Sequence, residues 1–236
     1  MKTKKTRIII TYIVLFTLLL GAILLSLYIG SVSIAPRQVF SVLTGHGTDA
    51  KAMQIILSIR LPRVLAAAIL GGALAVSGFL LQTFFRNPIA GPFVLGISSG
   101  AKLVVALAMI VGVSHGITMS SWFMIAMALI GSLLSMLFVL AVSKKVQEMS
   151  MLVVCGVMIG YICSAITEFV VTFAEDAEIV NLHNWSKGSF SGMTWENVKV
   201  MVLVTGIASI GVFLLSKPIS AYEMGEAYAA NMGLNV

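Results

Sequence analysis

The sequence predicts an all-α polytopic membrane protein, and three observations carry that reading. Hydrophobic residues fill 59% of 236 positions and charged residues only 10%, against roughly 45–50% apolar in soluble domains; the mean hydropathy is +1.04. The charges leave long uncharged intervals, the longest being the 29 residues between Arg7 and Arg37. Small residues recur at four-residue spacing within these intervals, as at Gly96 and Gly100 and at Gly156 and Gly160, which lets helices approach closely in lipid. This composition excludes disorder, a disulfide scaffold and a basic nucleic-acid domain. The surplus of 15 Lys and Arg over 9 Asp and Glu reads as loop charge that sets orientation. Cys155 and Cys163 share one apolar run without a CxxC or histidine companion, so they read as packing residues and give no metal site.

Six spans follow in order, each needing about 20 residues to cross a core roughly 30 Å thick. The first covers residues 8–29 behind Lys2, Lys4, Lys5 and Arg7, too long for the apolar region of a signal peptide. Arg63 and Arg86 bracket the second. The third runs from Pro92 to about Val113, interrupted by Lys102, and the fourth covers 122–142, closed by Lys144 and Lys145. Glu148 and Glu168 bracket the fifth, and Lys199 and Lys217 the sixth. Six crossings from a basic N-terminus put both ends inside. Lys2, Lys4, Lys5, Arg7, Arg86, Lys144, Lys145 and Lys217 then lie inside, against Arg37, Lys51, Arg60, Arg63 and Lys187 outside, the sign that the positive-inside bias requires.

The shorter segments carry the functional signals. In Arg60-Leu61-Pro62-Arg63, two cations lie three residues apart at the N-terminal end of the second span, and Pro62 suits a first turn. They oppose both the helix dipole and the inside-positive bias, so they read either as snorkelling side chains or as a docking pair for an acidic partner outside the membrane. Asn87-Pro88-Ile89-Ala90-Gly91-Pro92 cannot continue a helix and reads as a shaped turn at the inner membrane edge, built on Asn87, Pro88 and Pro92. Gly96-Ile97-Ser98-Ser99-Gly100 matches G-x-S-x-G and raises an intramembrane serine hydrolase as an alternative. No strand precedes it, and His46, His115 and His183 all fall on the outer side, so helix packing is the preferred reading. Lys102 and Glu168 are ionisable residues near span ends; Lys102 reads as snorkelling, and Glu168 either packs or lines a wet path. The outer segment 181–190, with Trp185, Gly188 and Ser189, reads either as part of an interfacial aromatic belt with Trp195 or as a short helix beside a vestibule. In 220–234, a capping box over Ser220-Ala221-Tyr222-Glu223 and a stop at Gly233 predict one helix of about twelve residues. It is too short to span and lacks the basic face of a membrane-surface helix, so it reads as a cytoplasmic surface for another protein.

Taken together these segments resemble a known family. Arg60-Leu61-Pro62-Arg63, Gly71-Gly72-Ala73-Leu74-Ala75-Val76-Ser77-Gly78, Gln82, Asn87 to Pro92 and Leu95-Gly96-Ile97-Ser98-Ser99-Gly100-Ala101 read in order like the permease subunit of the iron-siderophore and cobalamin ABC importers. So do Trp185 with Gly188-Ser189-Phe190, and Met224-Gly225-Glu226 with Ala229 and Met232-Gly233. The resemblance implies a single transmembrane permease domain over 1–236 in a ten-helix type II importer fold, of which this chain holds six spans, as a truncated chain or fragment would. It implies a multi-pass protein of the bacterial cytoplasmic membrane, working with a second permease subunit, two cytoplasmic ATP-binding subunits and an extracytoplasmic substrate-binding protein. The cargo would be an iron chelate, such as a ferric siderophore, or a related chelate such as haem or cobalamin. ATP would be used by the partner ATPase and no cofactor held here; the chain has no G-x-x-x-x-G-K-[ST]. Arg60 and Arg63 would receive acidic residues of the binding protein. Met224, Gly225, Glu226, Ala229, Met232 and Gly233 would form the coupling helix against the ATPase, although Ser220 and Ala221 depart from the family's usual opening of that segment. Trp185, Gly188 and Ser189 would flank the substrate cavity. A non-transporting membrane scaffold is the remaining alternative.

Overall fold

The computed structural model of the chain describes residues 2–47, 49–85, 87–93, 95–114, 120–143, 145 and 149–233. The described residues form helices and connecting turns, with no strand among them. Among the described residues, five helical stretches are long and apolar enough to cross a membrane: Lys4–Tyr28, Ala50–Phe85, Trp122–Val142, Met151–Val171 and Trp195–Leu214. The third expected span is shorter, its apolar stretch covering Ile97–Gly112. It starts at Ile97, not Pro92, because Phe93 and Pro92 lie in turns and Gly96, at φ 69°, ends them in a conformation that glycine alone takes readily. Arg86, His115, Lys144 and Glu148 lie outside the described residues.

Contacts divide the chain into two compact units, residues 1–72 with 190–208 and residues 73–189 with 209–236. In the first, helix α1 (Lys2–Tyr28) leads through a turn to α2 (Pro36–Leu43), whose first residue is a proline, and to α3 (Ala50–Gln54). Asp49 caps α3, its Oδ1 accepting from the amides of Lys51 at 3.0 Å and Ala52 at 3.3 Å. The helix does not stop there. A π-helical segment (Ile55–Arg60) joins α3 directly to α4 (Leu61–Phe85). Leu27, Ile34, Val39, Val42, Ile56 and Val64 bury one another beside this junction. Most of α1 is exposed and apolar on every side, as suits a helix facing lipid.

The junction corrects the expected position of Pro62, which lies inside a continuous helix and not in its first turn. A proline there removes an amide donor and crowds the carbonyl four residues back. The π register relieves this: the Leu61 amide donates to the Ile56 carbonyl, five residues back. In that register the Leu57 carbonyl would be served by residue 62, which has no N–H. The indole Nε1–H of Trp195 donates to it instead, at 2.9 Å. Trp195 opens α9 (Trp195–Leu214).

In the second unit, α5 (Ile97–Ser114) packs along α6 (Ser121–Ser143) and α7 (Met149–Val171), and more lightly on α8 (Asp176–Lys187). Glycines set the spacing. A Cβ on Gly131 would overlap the Gly100 carbonyl oxygen and stand 2.9 Å from the Ala101 Cα, while one on Gly96 would stand 2.7 Å from the Gly160 amide nitrogen. Gly96 and Gly100 of the G-x-S-x-G match are thus occupied by helix packing. Phe85, Leu95, Val139, Leu152 and Ile159 form one buried cluster here, with Cys163 against it, and Val105, Ala106, Met109, Met124 and Leu182 another.

Candidate functional sites

The Arg60 and Arg63 side chains do not present as a pair. Arg63 is exposed, and among the described residues none accepts from its guanidinium. Arg60 is only 7% exposed. Its Nη1 donates to the Leu27 carbonyl at 2.6 Å and to that of Tyr28 at 2.9 Å, and its Nη2 donates to Val32. The Leu27 and Tyr28 oxygens close the C-terminal end of α1, where carbonyls lack intrahelical donors and carry partial negative charge, and Val32 lies four residues beyond it. Three of its five N–H donors are thereby directed at backbone carbonyls at or just past the end of α1, so Arg60 is not the freely exposed cation that the sequence suggests. Both arginines border a cavity of about 760 Å³ lined mainly by apolar side chains of α1 and α4, with Phe190 at its edge.

The segment around Asn87 forms the expected turn. Asn87 ends α4 by donating its amide to the Gln82 carbonyl, and its side-chain Oδ1 accepts from the Ile89 amide at 3.0 Å. Pro88 sits inside the turn closed by the Ala90 amide on the Asn87 carbonyl at 3.1 Å, and Pro92 lies in the next one.

The C-terminal segment differs from the single expected helix. It forms two, α10 (Ser216–Glu223) and α11 (Glu226–Asn231), separated at Met224 and Gly225. Ser220 and Glu223 belong to the end of α10, so they do not form a helix-opening box. Lys217-Pro218 is what allows the earlier start, since a proline in a first turn gives up no hydrogen bond. Gly225 at φ 124° breaks the run in a conformation that side chains rarely take, and Gly233 at φ 83° ends α11 as expected. Ala229 is fully buried, whereas Met224 and Met232 are 68% and 64% exposed. With Tyr228 they border a shallow cavity of about 370 Å³. The Glu226 side chain lies outside the described residues. Tyr222 of α10 stacks on Phe84 in the last turn of α4, ring centroids 6.1 Å apart and planes 13° from parallel.

The expected path residues fall in the second unit. Glu168 is exposed on α7. Trp185 is half-buried against the Val105, Ala106 and Leu182 cluster, near the end of α8. That helix covers Asp176–Lys187, earlier than expected, with Asp176 and Glu178 in its first turn and Lys187 in its last, the polarity that suits its dipole. Gly188 caps it at φ 68°, its amide donating to the Trp185 carbonyl at 3.1 Å, so Gly188 and Ser189 follow the helix and are exposed. Ser98 is exposed in the first turn of α5, and Ser99 and Ser164 oxygens lie 3.4 Å apart between α5 and α7.

The FecCD transport family model matches residues 18–236. The vitamin B12 import system permease protein BtuC of Klebsiella pneumoniae is 34% identical over 217 residues, covering 92% of this chain and 62% of its own length. The protein of the same name from Citrobacter koseri is 32% identical over 220 residues, with 93% and 63% covered. The chain thus spans about three fifths of the length of these relatives. A solved structure described as an inward-facing conformation of a metal-chelate type ABC transporter superposes with a TM-score of 0.78 at 26% identity, covering 94% of this chain and 67% of that one. A family match over nearly the whole chain, on a helical framework shared with that transporter, places this protein in the FecCD transport family.

Proposed function

We propose that the chain is the permease subunit of an ATP-binding-cassette importer that brings a metal chelate into a bacterial cell. The observation that carries this reading is the family match over residues 18–236, joined to a helical framework with an exposed cation near the start of α4 and an exposed Met and Tyr surface on α10 and α11. In this reading six spans of a single transmembrane permease domain enter from a cytoplasmic N-terminus. Arg63 faces an acidic substrate-binding protein outside, and the Met224 to Gly233 segment faces an ATP-binding subunit inside. Two such subunits hydrolyse ATP, a second permease subunit completes the path, and this chain itself performs no chemistry. Glu168, Trp185, Gly188 and Ser189 border the path, and the Asn87, Pro88 and Pro92 turn shapes its inner end. The cargo is a ferric siderophore or a related chelate such as haem or cobalamin; the BtuC relatives favour a corrinoid-sized one.

The test is ATP hydrolysis by the importer assembled in proteoliposomes with its ATPase and binding protein. Arg63→Glu should abolish stimulation by the binding protein while leaving basal hydrolysis intact, because one cation becomes an anion facing an acidic partner. Stimulation equal to wild type would remove Arg63 from the docking surface.

A further inference from the structure

We propose that Arg60 clamps the end of α1 to the π-helical segment, through a space that Gly30 keeps open. Three observations converge on it. The guanidinium is buried, and its acceptors Leu27, Tyr28 and Val32 are backbone carbonyls at or just past the end of α1. A planar fork of donors suits several such oxygens at once, and a cation there complements the helix dipole. Gly30 supplies the room: a Cβ on it would stand 2.6 Å from the Arg60 Nη2 and 2.8 Å from its Cζ. The guanidinium is the mobile end of its side chain, so a methyl at residue 30 would displace it from its acceptors without breaking the backbone.

The two arginines, three residues apart, have different fates. The wider turn ends at Arg60, which is buried against α1, whereas Arg63, one turn on, is exposed. The clamp fixes the end of α1 beside the turn that carries Arg63. Only the role of Arg63 rests on the importer reading; the clamp does not.

The experiment is thermal unfolding of the full chain in detergent, comparing Arg60→Lys, Gly30→Ala, their double variant and Arg63→Gln. Lysine keeps the charge but cannot reach three separate carbonyls from one point, so a fall in melting temperature of about 5 °C is expected. Gly30→Ala should give a similar fall, and the double variant should melt close to the worse single one, since both remove the same contact. Arg63→Gln should melt within about 1–2 °C of wild type. Wild-type melting of Arg60→Lys, or fully additive effects of the two substitutions, would overturn the clamp. Failure of the docking reading would show separately, as unaltered stimulation in Arg63→Glu with these melting shifts still present.

Discussion

Gly131→Ala tests whether the glycine seam between α5 and α6 sets the packing of the second unit. The added methyl would overlap the Gly100 carbonyl oxygen and stand 2.9 Å from the Ala101 Cα, whereas ordinary contact begins near 3.4 Å. The obstacle is backbone and not a flexible side chain, so α6 must retreat by at least half an ångström along its contact with α5. Overpacking of a tight interior costs about 1–3 kcal/mol, and a helix–helix seam of backbone atoms belongs at the upper end. At about 2–4 °C per kcal/mol for a chain of this size, the expected fall in melting temperature is roughly 6–10 °C. Gly72→Ala is the control, because nothing lies within 4 Å of a Cβ there. That substitution should be neutral or stabilising by up to about 1 kcal/mol through helix propensity alone. Thermal unfolding in detergent separates the two. Equal melting of both variants would refute the claim that close backbone approach at Gly131 holds α5 and α6 at their observed spacing.

Trp195→Phe removes the donor that serves the Leu57 carbonyl and should cost about 1 kcal/mol in chemical or thermal unfolding. In a Pro62→Ala background, where residue 62 regains an amide, the same change should cost much less; identical costs in both backgrounds would contradict the hydrogen-bond account of the π junction. Gly225→Ala places a side chain at φ 124° and should cost about 1–3 kcal/mol of local strain. Its expected signature is altered protease sensitivity between α10 and α11 with little change in global melting, and an unchanged cleavage pattern would count against the break as a glycine-dependent feature.

Much of the helical framework is legible in the sequence because charges mark its ends. The uncharged intervals at 122–142 and after Glu148 become α6 and α7 with little change in their limits, whereas the interval after Arg63 is only the later part of a helix that begins at Ala50. The seam glycines and the Asn87 turn are legible for the same reason: each follows from one residue type in a fixed local pattern. What is hidden depends on partners distant in sequence. Arg60 looks like an outward cation until the end of α1, more than thirty residues earlier, supplies its acceptors. Pro62 looks like a helix start because a π turn has no sequence signature. Trp195 looks like a membrane-interface aromatic, and only the missing amide of Pro62 explains its bond to Leu57. The break at Gly225 is legible in part, since a glycine seven residues after a proline marks a short helix, but the capping-box pattern over Ser220 and Glu223 competes with it.

The central claim is that α10 and α11 present a surface to an ATP-binding subunit, and co-purification tests it most directly. The chain should be expressed with the ATP-binding subunit of its proposed importer, extracted in mild detergent and captured through a tag on the membrane chain. Met224→Asp with Met232→Asp puts charge on two of the most exposed side chains of the surface, 68% and 64% accessible, without touching the buried Ala229. The account predicts that wild type retains the ATPase and that the double variant, melting as wild type, loses at least nine tenths of it, a change of about 1.4 kcal/mol or more in binding. Equal recovery of the ATPase by both chains would contradict it.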